Sequence, residues 1–424
     1  MNKIPHSSCK NLEAGTFHGS VLELIHNEHD CFLNILVLVE DQIYSLEFKK
    51  KLEISEGDLI SFNVDENCLI QGIKIEQIPQ KFKANGDVIR WRKPSQSKSR
   101  MGNLQMRYKL MRGVREWFDK KKFIETETPF LVPSPSPESQ ILPVKTDTGF
   151  LITSPEFQMK RLLVGGFERI FQIARCYRKD EISPHHNPEF TLLEWYRSWE
   201  PLEALIVDLE QLVMYLIENL DDKRICKHIP SPPWPRVKVK DLFKKHLGID
   251  LEGSESAEKL MKKALISGFE ELFQNIPNPL KLSNALAYEQ IFYRLWEKIE
   301  DYISNSTPLF VYDWPLILPS LARSIGDDPS FVDRVELYVN GMELANGFGE
   351  LTDVLEQRHR FETDLKNRIT LGVEPIPLDE KFLTSLEQGL PKSSGMALGI
   401  DRLIMWMCSL DHIREVMCFS NEEL

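Results

Sequence analysis

Cysteine is scarce and scattered: Cys9, Cys31, Cys68, Cys176, Cys226, Cys408 and Cys418 are the only seven in a chain of 424 residues. Their odd number and the lack of any C-x-x-C pair argue against a disulfide framework and against a cysteine-based zinc site. Long apolar runs are missing as well. The most apolar piece, Ile35 to Val39, has the length of a strand, far short of the roughly 20 residues that a bilayer span needs. The first fifteen residues are polar with no apolar signal region, so a cytoplasmic setting is expected. There is also no G-x-G-x-x-G after a strand, no P-loop and no H-E-x-x-H, which disfavours Rossmann, P-loop and zincin chemistry.

What is present is an ordinary globular composition, 42% hydrophobic and 27% charged, in a chain long enough for two or three units. The net charge of -12 argues against indiscriminate nucleic-acid or membrane-surface binding. Between Trp91 and Lys122, however, eleven Lys and Arg face only Glu116 and Asp119. The first part of this stretch, residues 91–105, holds Pro94 and several Ser, Lys and Arg, the composition of an exposed linker. Beyond it Met106, Leu110, Val114, Trp117 and Phe118 recur at helical spacing. The charges between them form either a solvated helix face or a landing surface for an acidic macromolecule.

Ahead of the linker, Val21–Ile25, Phe32–Val39, Ile43–Phe48, Leu59–Val64 and Leu69–Ile75 read as five short strands separated by Asn, Asp, Gly and Lys clusters. Five strands in so short a span suggest a small barrel. The Glu56-Gly57-Asp58 turn fits an OB-like one, and fits other small β domains equally. After the linker, helical and extended pieces alternate, with strands at Ile170–Tyr177, Glu189–Tyr196, Leu309–Tyr312 and Val332–Val339 and a helix at Leu202–Leu220. The Pro-rich Ile229–Pro235 and the polar Leu251–Glu258 read as surface connections in a mostly helical insertion near residues 221–305.

Three constellations carry candidate chemistry. Arg178-Lys179-Asp180-Glu181 and His185-His186-Asn187-Pro188 form a polar loop between two strands; guanidinium matches phosphate bidentately, so such a loop either clamps a phosphate or is simply solvated. In Val332 to Glu350, Asn340-Gly341 signals a two-residue hairpin turn. That turn would set Val339 opposite Met342 and Tyr338 opposite Glu343, with Glu336 diagonal to Glu343. Two carboxylates so close need a cation such as Mg²⁺ between them or else face solvent. Strict alternation would put Asn346, Phe348 and Glu350 on the face opposite to Glu343, so a single site requires a bend, which Gly347 and Gly349 can supply. The third, Gly395-Met396-Ala397-Leu398-Gly399-Ile400-Asp401-Arg402, is a small-residue strand entering a helix, with Arg402 placed to bind an anion or to pair with an acid.

Read in order, these pieces resemble the signature motifs of class II aminoacyl-tRNA synthetases of the lysine branch. The resemblance covers about Met106 to Leu424 and runs through Glu127-Thr128-Pro129, Thr153-Ser154-Pro155-Glu156, Met159 to Gly166, His186 to Thr191, Glu343 to Phe348 and Ala397 to Arg402. Within the branch, Ser154-Pro155-Glu156, the run Thr191 to Arg197 and Ala397, where the tRNA enzymes usually have Gly, are closer to the paralogues that modify elongation factor P.

This resemblance implies an α+β catalytic domain over residues 106–424: an antiparallel sheet of six or seven strands flanked by helices, with a homodimer built around Pro129 and a small OB-like barrel over residues 1–90 ahead of it. It implies ATP and Mg²⁺, a lysine-like amino acid, read as (R)-β-lysine from pocket shape, and a lysine of elongation factor P as acceptor. Arg178 would hold the α-phosphate and carboxylate and Arg402 the γ-phosphate; Asp180, Asn187, Leu344 and Gly399 would line the nucleotide, and Glu336 with Glu343 would hold the metal. Ser154, Glu156, Glu194, Tyr196, Asn346, Phe348, Glu350 and Ala397 would form the amino-acid pocket. Two departures stand out. Asp180 replaces the family's Glu and is one methylene shorter, and an N-terminal barrel is usual in lysyl-tRNA synthetases rather than in the elongation-factor enzymes. A lysyl-tRNA synthetase is therefore the alternative, although residues 1–90 carry nine Lys and Arg against fourteen Asp and Glu, an unusual surface for RNA. A silent nucleotide-binding regulator is the third reading.

Overall fold

Period-two alternation over residues 15–77 builds a sheet, as the pattern predicts. The computed structural model describes residues 7–8, 12–26, 33–39, 42–48, 53–66, 70–78, 100–220, 225, 229–274, 276–304, 307–318 and 321–424. The chain divides into two units, residues 1–107 with 423 and residues 108–422 with 424. The expected linker 91–105 falls outside the described residues up to residue 99.

The first unit holds β1 (Ser7–Ser8), β2 (Gly15–His26), β3 (Leu33–Val39), β4 (Gln42–Phe48), β5 (Leu59–Val64) and β6 (Ile70–Gln77), in the order β1-β4-β3-β2-β5-β6. Strand β2 pairs with β5 from Gly15 to Ser20 and with β3 from Ser20 to His26, changing partner beside a bulge between Val21 and Glu23. Val21, Ile35, Val37, Leu46, Ile60 and Phe62 form its core. All five expected strands are present, but among the described residues the two ends of the sheet do not pair. Over the described residues the sheet is therefore open.

In the second unit α1 (Arg100–Lys120), within which the division falls, precedes β7 (Ile124–Glu125). A three-stranded sheet of β8 (Leu131–Val132), β9 (Lys145–Thr146) and β10 (Gly149–Leu151) leads to α2 (Glu156–Val164), β11 (Arg169–Tyr177), β12 (Glu189–Ser198) and α3 (Leu202–Asn219). The insertion comprises β13 (Arg236–Lys238), α4 (Val239–Leu242), α5 (Ala257–Ile266) and α6 (Asn284–Ile303). Then follow β14 (Leu309–Pro315), β15 (Phe331–Val339), β16 (Met342–Gly349), α7 (Val354–Thr370), α8 (Glu380–Glu387), β17 (Ser393–Gly399) and α9 (Ile400–Cys408).

The main sheet runs β13-β14-β15-β16-β17-β12-β11-β7. Its six central strands are antiparallel, and it exceeds the expected six or seven because short β13 and β7 pair in parallel at the two edges. Both faces are covered, so β12 is buried almost throughout. On the back face Phe118 of α1 stacks on Phe171 at 4.4 Å between centroids and meets Trp195 edge-on at 5.8 Å. Part of the basic face of α1 meets neighbours: Lys120 donates to the Tyr215 hydroxyl, Lys121 to Gln211, and Arg115 pairs with Glu125. Lys109 and Arg112 on the same helix are exposed.

On the front, α6 brings Tyr288, Phe292 and Trp296 against Trp314 and Tyr338, each buried aromatic contributing about 1.5–3 kcal/mol. Trp296 Nε1 donates to the Tyr338 hydroxyl at 3.0 Å, which donates to Glu336 at 2.7 Å. The insertion thus braces a residue of the sheet. Residues 251–258, expected as a surface connection, are partly interior: Leu251, Glu255 and Ala257 are buried, with Glu255 accepting from the Glu252 amide. Among the described residues no helix is long and apolar enough to cross a membrane.

One interior ion pair ties β12 to α3 across the back face. Arg197 Nε and Nη2 donate to the two oxygens of Asp208 at 2.6 and 2.7 Å, while the guanidinium lies 4.9 Å from the Phe123 ring. Removing the acid leaves a buried cation unpaired. Asp208→Ala is expected to destabilise the chain by about 3–5 kcal/mol, read as a lower denaturant midpoint in urea unfolding.

Candidate active site

Antiparallel register aligns the front-face residues in rows. Gln172, Glu194, Ala397, Asn346 and Glu336 are successive partners across β11, β12, β17, β16 and β15. The next row is Ile170, Tyr196, Gly395, Phe348 and Arg334. Two rows from five strands therefore bring together Glu194, Tyr196, Asn346 and Glu336, which the sequence scatters over more than 100 positions.

The hairpin pairs Val339 with Met342 and Tyr338 with Glu343, as the Asn-Gly turn predicts. The bend lies elsewhere than expected. Pairing jumps from Leu337–Ala345 to Tyr338–Glu343, leaving Leu344 as the extra residue of a β-bulge. That insertion reverses the alternation and returns Glu343 to the face of Asn346 and Glu336. Gly347 and Gly349 serve close approach on the other face: a Cβ on Gly347 would lie 2.7 Å from Met396 Sδ, and one on Gly349 2.0 Å from Asp333 Oδ2.

At one end of the rows three carboxylates converge. Glu156 opens α2, its amide donating to Ser154 Oγ at 3.2 Å; Glu194 comes from β12, and Glu350 follows β16. Lys160, one turn into α2 and 1% exposed, places Nζ 2.5 Å from both Glu156 and Glu350. Tyr196 donates its hydroxyl to Glu194 at 3.0 Å. Gly395 makes the convergence possible, because a Cβ there would lie 2.3 Å from the Tyr196 ring and 2.5 Å from Glu350 Oε1. Burial, with Glu156 nearby, pushes the Glu194 carboxyl up to about 8. Burial also raises Glu350, against the pull of Lys160. Asn346 Oδ1 and Glu350 Oε1 are buried without a hydrogen-bond partner, which leaves acceptors for a donor-rich ligand. Ala397 sits between Glu194 and Asn346, and Phe348 flanks Arg334 at 5.8 Å.

The cationic end lies around the β11–β12 loop and the start of α9. Arg178 stacks over Phe190 at 5.1 Å, its Nε is buried without a partner, and its nearest acid, Glu181, stays 3.9 Å away. Arg402 donates to the carbonyls of Glu343 (2.7 Å) and His185 (3.3 Å) and meets His186 Nε2 at 2.5 Å. Burial and the charge of Arg402 lower His186 to about 4. The ring is therefore neutral and accepts from Arg402, while Nδ1 lies 2.7 Å from Ser183 Oγ. Among the described residues the charge of Arg402 is met by dipoles alone, the condition of a group ready for an anion. Gly399 caps α9 beside the Arg402 stem, and an added Cβ would make only ordinary contact there.

Asp180 is exposed in the loop with φ +65°. Asn187 is buried as a brace, donating to the Glu189 carbonyl at 2.7 Å and accepting from the Asn421 amide at 2.9 Å. Glu336 accepts from Tyr338 and from Arg334, and burial with Glu343 nearby raises its carboxyl. Two hard oxygen donors on one face suit Mg²⁺. Among the described residues no group of three His, Cys, Asp or Glu could hold a metal, so further ligands would come from phosphate and water.

Lys160, His186 and Arg334 lie within the motif segments and received no role from the sequence. The Glu156–Lys160 spacing of i, i+4 on a helix was the available signal for the first; Arg334 and Glu336 share a strand face, which was the signal for the third.

The raised carboxyl of Glu194 gives a pH-dependent expectation. The folded chain holds a proton there that the unfolded chain sheds near pH 4.5, so this group costs stability increasingly as pH rises toward 8. Glu194→Gln is expected to stabilise the chain by on the order of 1–3 kcal/mol at pH 8 and by little at pH 5, read from urea midpoints at the two pH values.

Residues 82–423 match the family described as tRNA synthetases class II (D, K and N). The chain is similar to elongation factor P--(R)-beta-lysine ligase of Avibacterium paragallinarum, 36% identical over 329 residues that cover 75% of this chain and 95% of the relative. It is similar to the protein of that name from Proteus mirabilis (strain HI4320), 34% identical over 339 residues, 76% of this chain and 96% of the relative. A lysine--tRNA ligase of Aquifex aeolicus (strain VF5) is 35% identical over 329 residues, 74% of this chain but 52% of the relative.

Proposed function

The chain belongs to the class II tRNA synthetases of the D, K and N group, and from that membership we propose that it is an ATP-dependent ligase joining (R)-β-lysine to a lysine side chain of elongation factor P. One observation carries the reading beyond the family. A pocket of three acids for a substrate with two ammonium groups lies on the same sheet face as an arginine whose charge is met only by dipoles.

In the first step the amino-acid carboxylate attacks the α-phosphorus of ATP and pyrophosphate leaves; position and charge neutralisation supply the acceleration. Arg178, with an unpartnered Nε, would bind the α-phosphate and carboxylate, and Arg402 the γ-phosphate. Asp180, Asn187, Leu344 and Gly399 line the nucleotide in this reading, the Asn187 brace holding the loop in place. Glu336 and Glu343 would hold Mg²⁺, which supplies positive charge to the phosphates when bound. Ser154 and Glu156 would receive the amino group near the carboxylate, and Glu194, Tyr196 and Glu350 the distal ammonium, with Asn346, Phe348 and Ala397 as walls. Glu194, protonated at neutral pH when the pocket is empty, would give up its proton to solvent as the ammonium arrives. In the second step the neutral acceptor amine attacks the acyl carbon and AMP leaves.

The shape argument rests on Ala397, whose methyl lies in the row between Glu194 and Asn346. A homodimer is supported by Ile124, Phe130 and Leu131, exposed around Pro129. The N-terminal unit lies largely ahead of the family match, which begins at residue 82. Its β2, which changes partners beside a bulge, turns as a strand at the corner of a small OB-like barrel does. With its acidic surface, a docking or stabilising role suits it better than anticodon binding.

The test is amino-acid-dependent ATP–pyrophosphate exchange with (R)-β-lysine and L-α-lysine side by side, followed by mass analysis of elongation factor P and a tRNA-charging assay. Preference for β-lysine with a mass gain on the factor is expected. Preference for α-lysine with tRNA charging would overturn the reading in favour of a lysyl-tRNA synthetase. Ala397→Gly is expected to relax the β-over-α preference by roughly 10–100-fold, the equivalent of one methyl in a pocket, measured as the ratio of kcat/KM values.

A further inference from the structure

The acid pocket contains a cation of its own that the proposed reaction does not use. Lys160 is 1% exposed, and its Nζ lies 2.5 Å from Glu156 and 2.5 Å from Glu350. A lysine buried this deeply is not a stability device in itself, since buried pairs are often replaceable by apolar residues at no cost. The charges around it can be counted element by element. Glu156 faces it from α2, Glu350 from the end of β16, and Glu194 with its Tyr196 partner from β12. Arg323, beyond Glu350, is paired with Asp333 at 2.6 Å. Glu138, beyond Glu156, is opposed by Arg178 and Arg334. Three acids and one base remain.

We propose that Lys160 is a positioning residue that brings this pocket to two negative charges once Glu194 has given up its proton, the complement of an amino acid carrying two ammonium groups. It does so by holding Glu156 and Glu350 together as acceptors before the substrate arrives. Without it, three mutually repelling carboxyl groups would keep extra protons, because each charge penalises the next. The acids would then be neutral hydroxyl-bearing groups, poor partners for ammonium.

The inference rests on the reading of the pocket as an amino-acid site, and native activity separates the two. If the native protein supports no exchange with either lysine isomer, that reading fails before any variant is made. Given exchange, the KM for (R)-β-lysine is measured from pH 6 to 10 for the native chain, Lys160→Met, Glu350→Gln and the double variant, with the KM for ATP as the internal control.

Lys160→Met is expected to raise the amino-acid KM about tenfold at pH 7 with kcat changed much less. It is also expected to move the midpoint of the KM–pH profile up by about one unit. Adding Glu350→Gln returns the count to two and is expected to bring the midpoint back toward the native value, a recovery that a merely structural lysine would not give. Glu350→Gln alone lowers the count to one and should shift the midpoint downward, which keeps the test decisive if Lys160→Met does not fold. A native profile in Lys160→Met, no recovery in the double variant, or an unmoved midpoint in Glu350→Gln alone would overturn the proposal.

Discussion

Like charges buried on one face of a sheet repel, and the geometry of this site follows from how that repulsion is met. Glu156, Glu194 and Glu350 arrive from a helix, a strand and a strand end, and Lys160 bridges two of them. The third is held by the Tyr196 hydroxyl and carries its burial as a raised proton affinity. Glycine at position 395 gives these side chains room to meet. Near the start of α9 Arg402 is surrounded by carbonyls and a neutral imidazole, and the residue whose carbonyl it holds, Glu343, is itself an acid.

Much of this was legible in the residues. Strands 170–177, 189–196 and 332–339 and the helix from Leu202 appear where β-branched runs and helical periodicity place them, and the Asn340-Gly341 turn fixed the pairing of its hairpin. Alternation alone put Glu194 and Tyr196 side by side. The bulge at Leu344 was not legible, because an extra residue in a strand leaves no trace in a pattern of period two; the neighbouring glycines offered a nearer explanation and answer instead to Met396 and Asp333. Lys160 was not legible as a pocket residue, since only the fold reveals that its side of α2 is buried against Glu350. The sheet's parallel edge strands are three and two residues long, below what periodicity can signal.

The insertion and the N-terminal unit show two different relations to the site. The insertion is bound to it by chemistry: a line of hydrogen bonds runs from Trp296 through Tyr338 to Glu336, so the packing of α6 orients a carboxylate on the sheet. The first unit has its own apolar core and a sheet whose ends are unpaired among the described residues. It forms a separate unit, whereas the insertion acts through what it holds still.

The bulge at Leu344 also sets a rule of parity for this hairpin. Glu343 and Asn346 stand three positions apart, so regular pairing of the same residues would send Glu343 to the opposite side of the sheet. Deletion of Leu344 alone would leave Glu343 opposite Tyr338 and on the face of Asn346, with the bulge gone. What the hairpin cannot absorb is a straightening that keeps every residue, because the odd spacing and the bulge cancel only together.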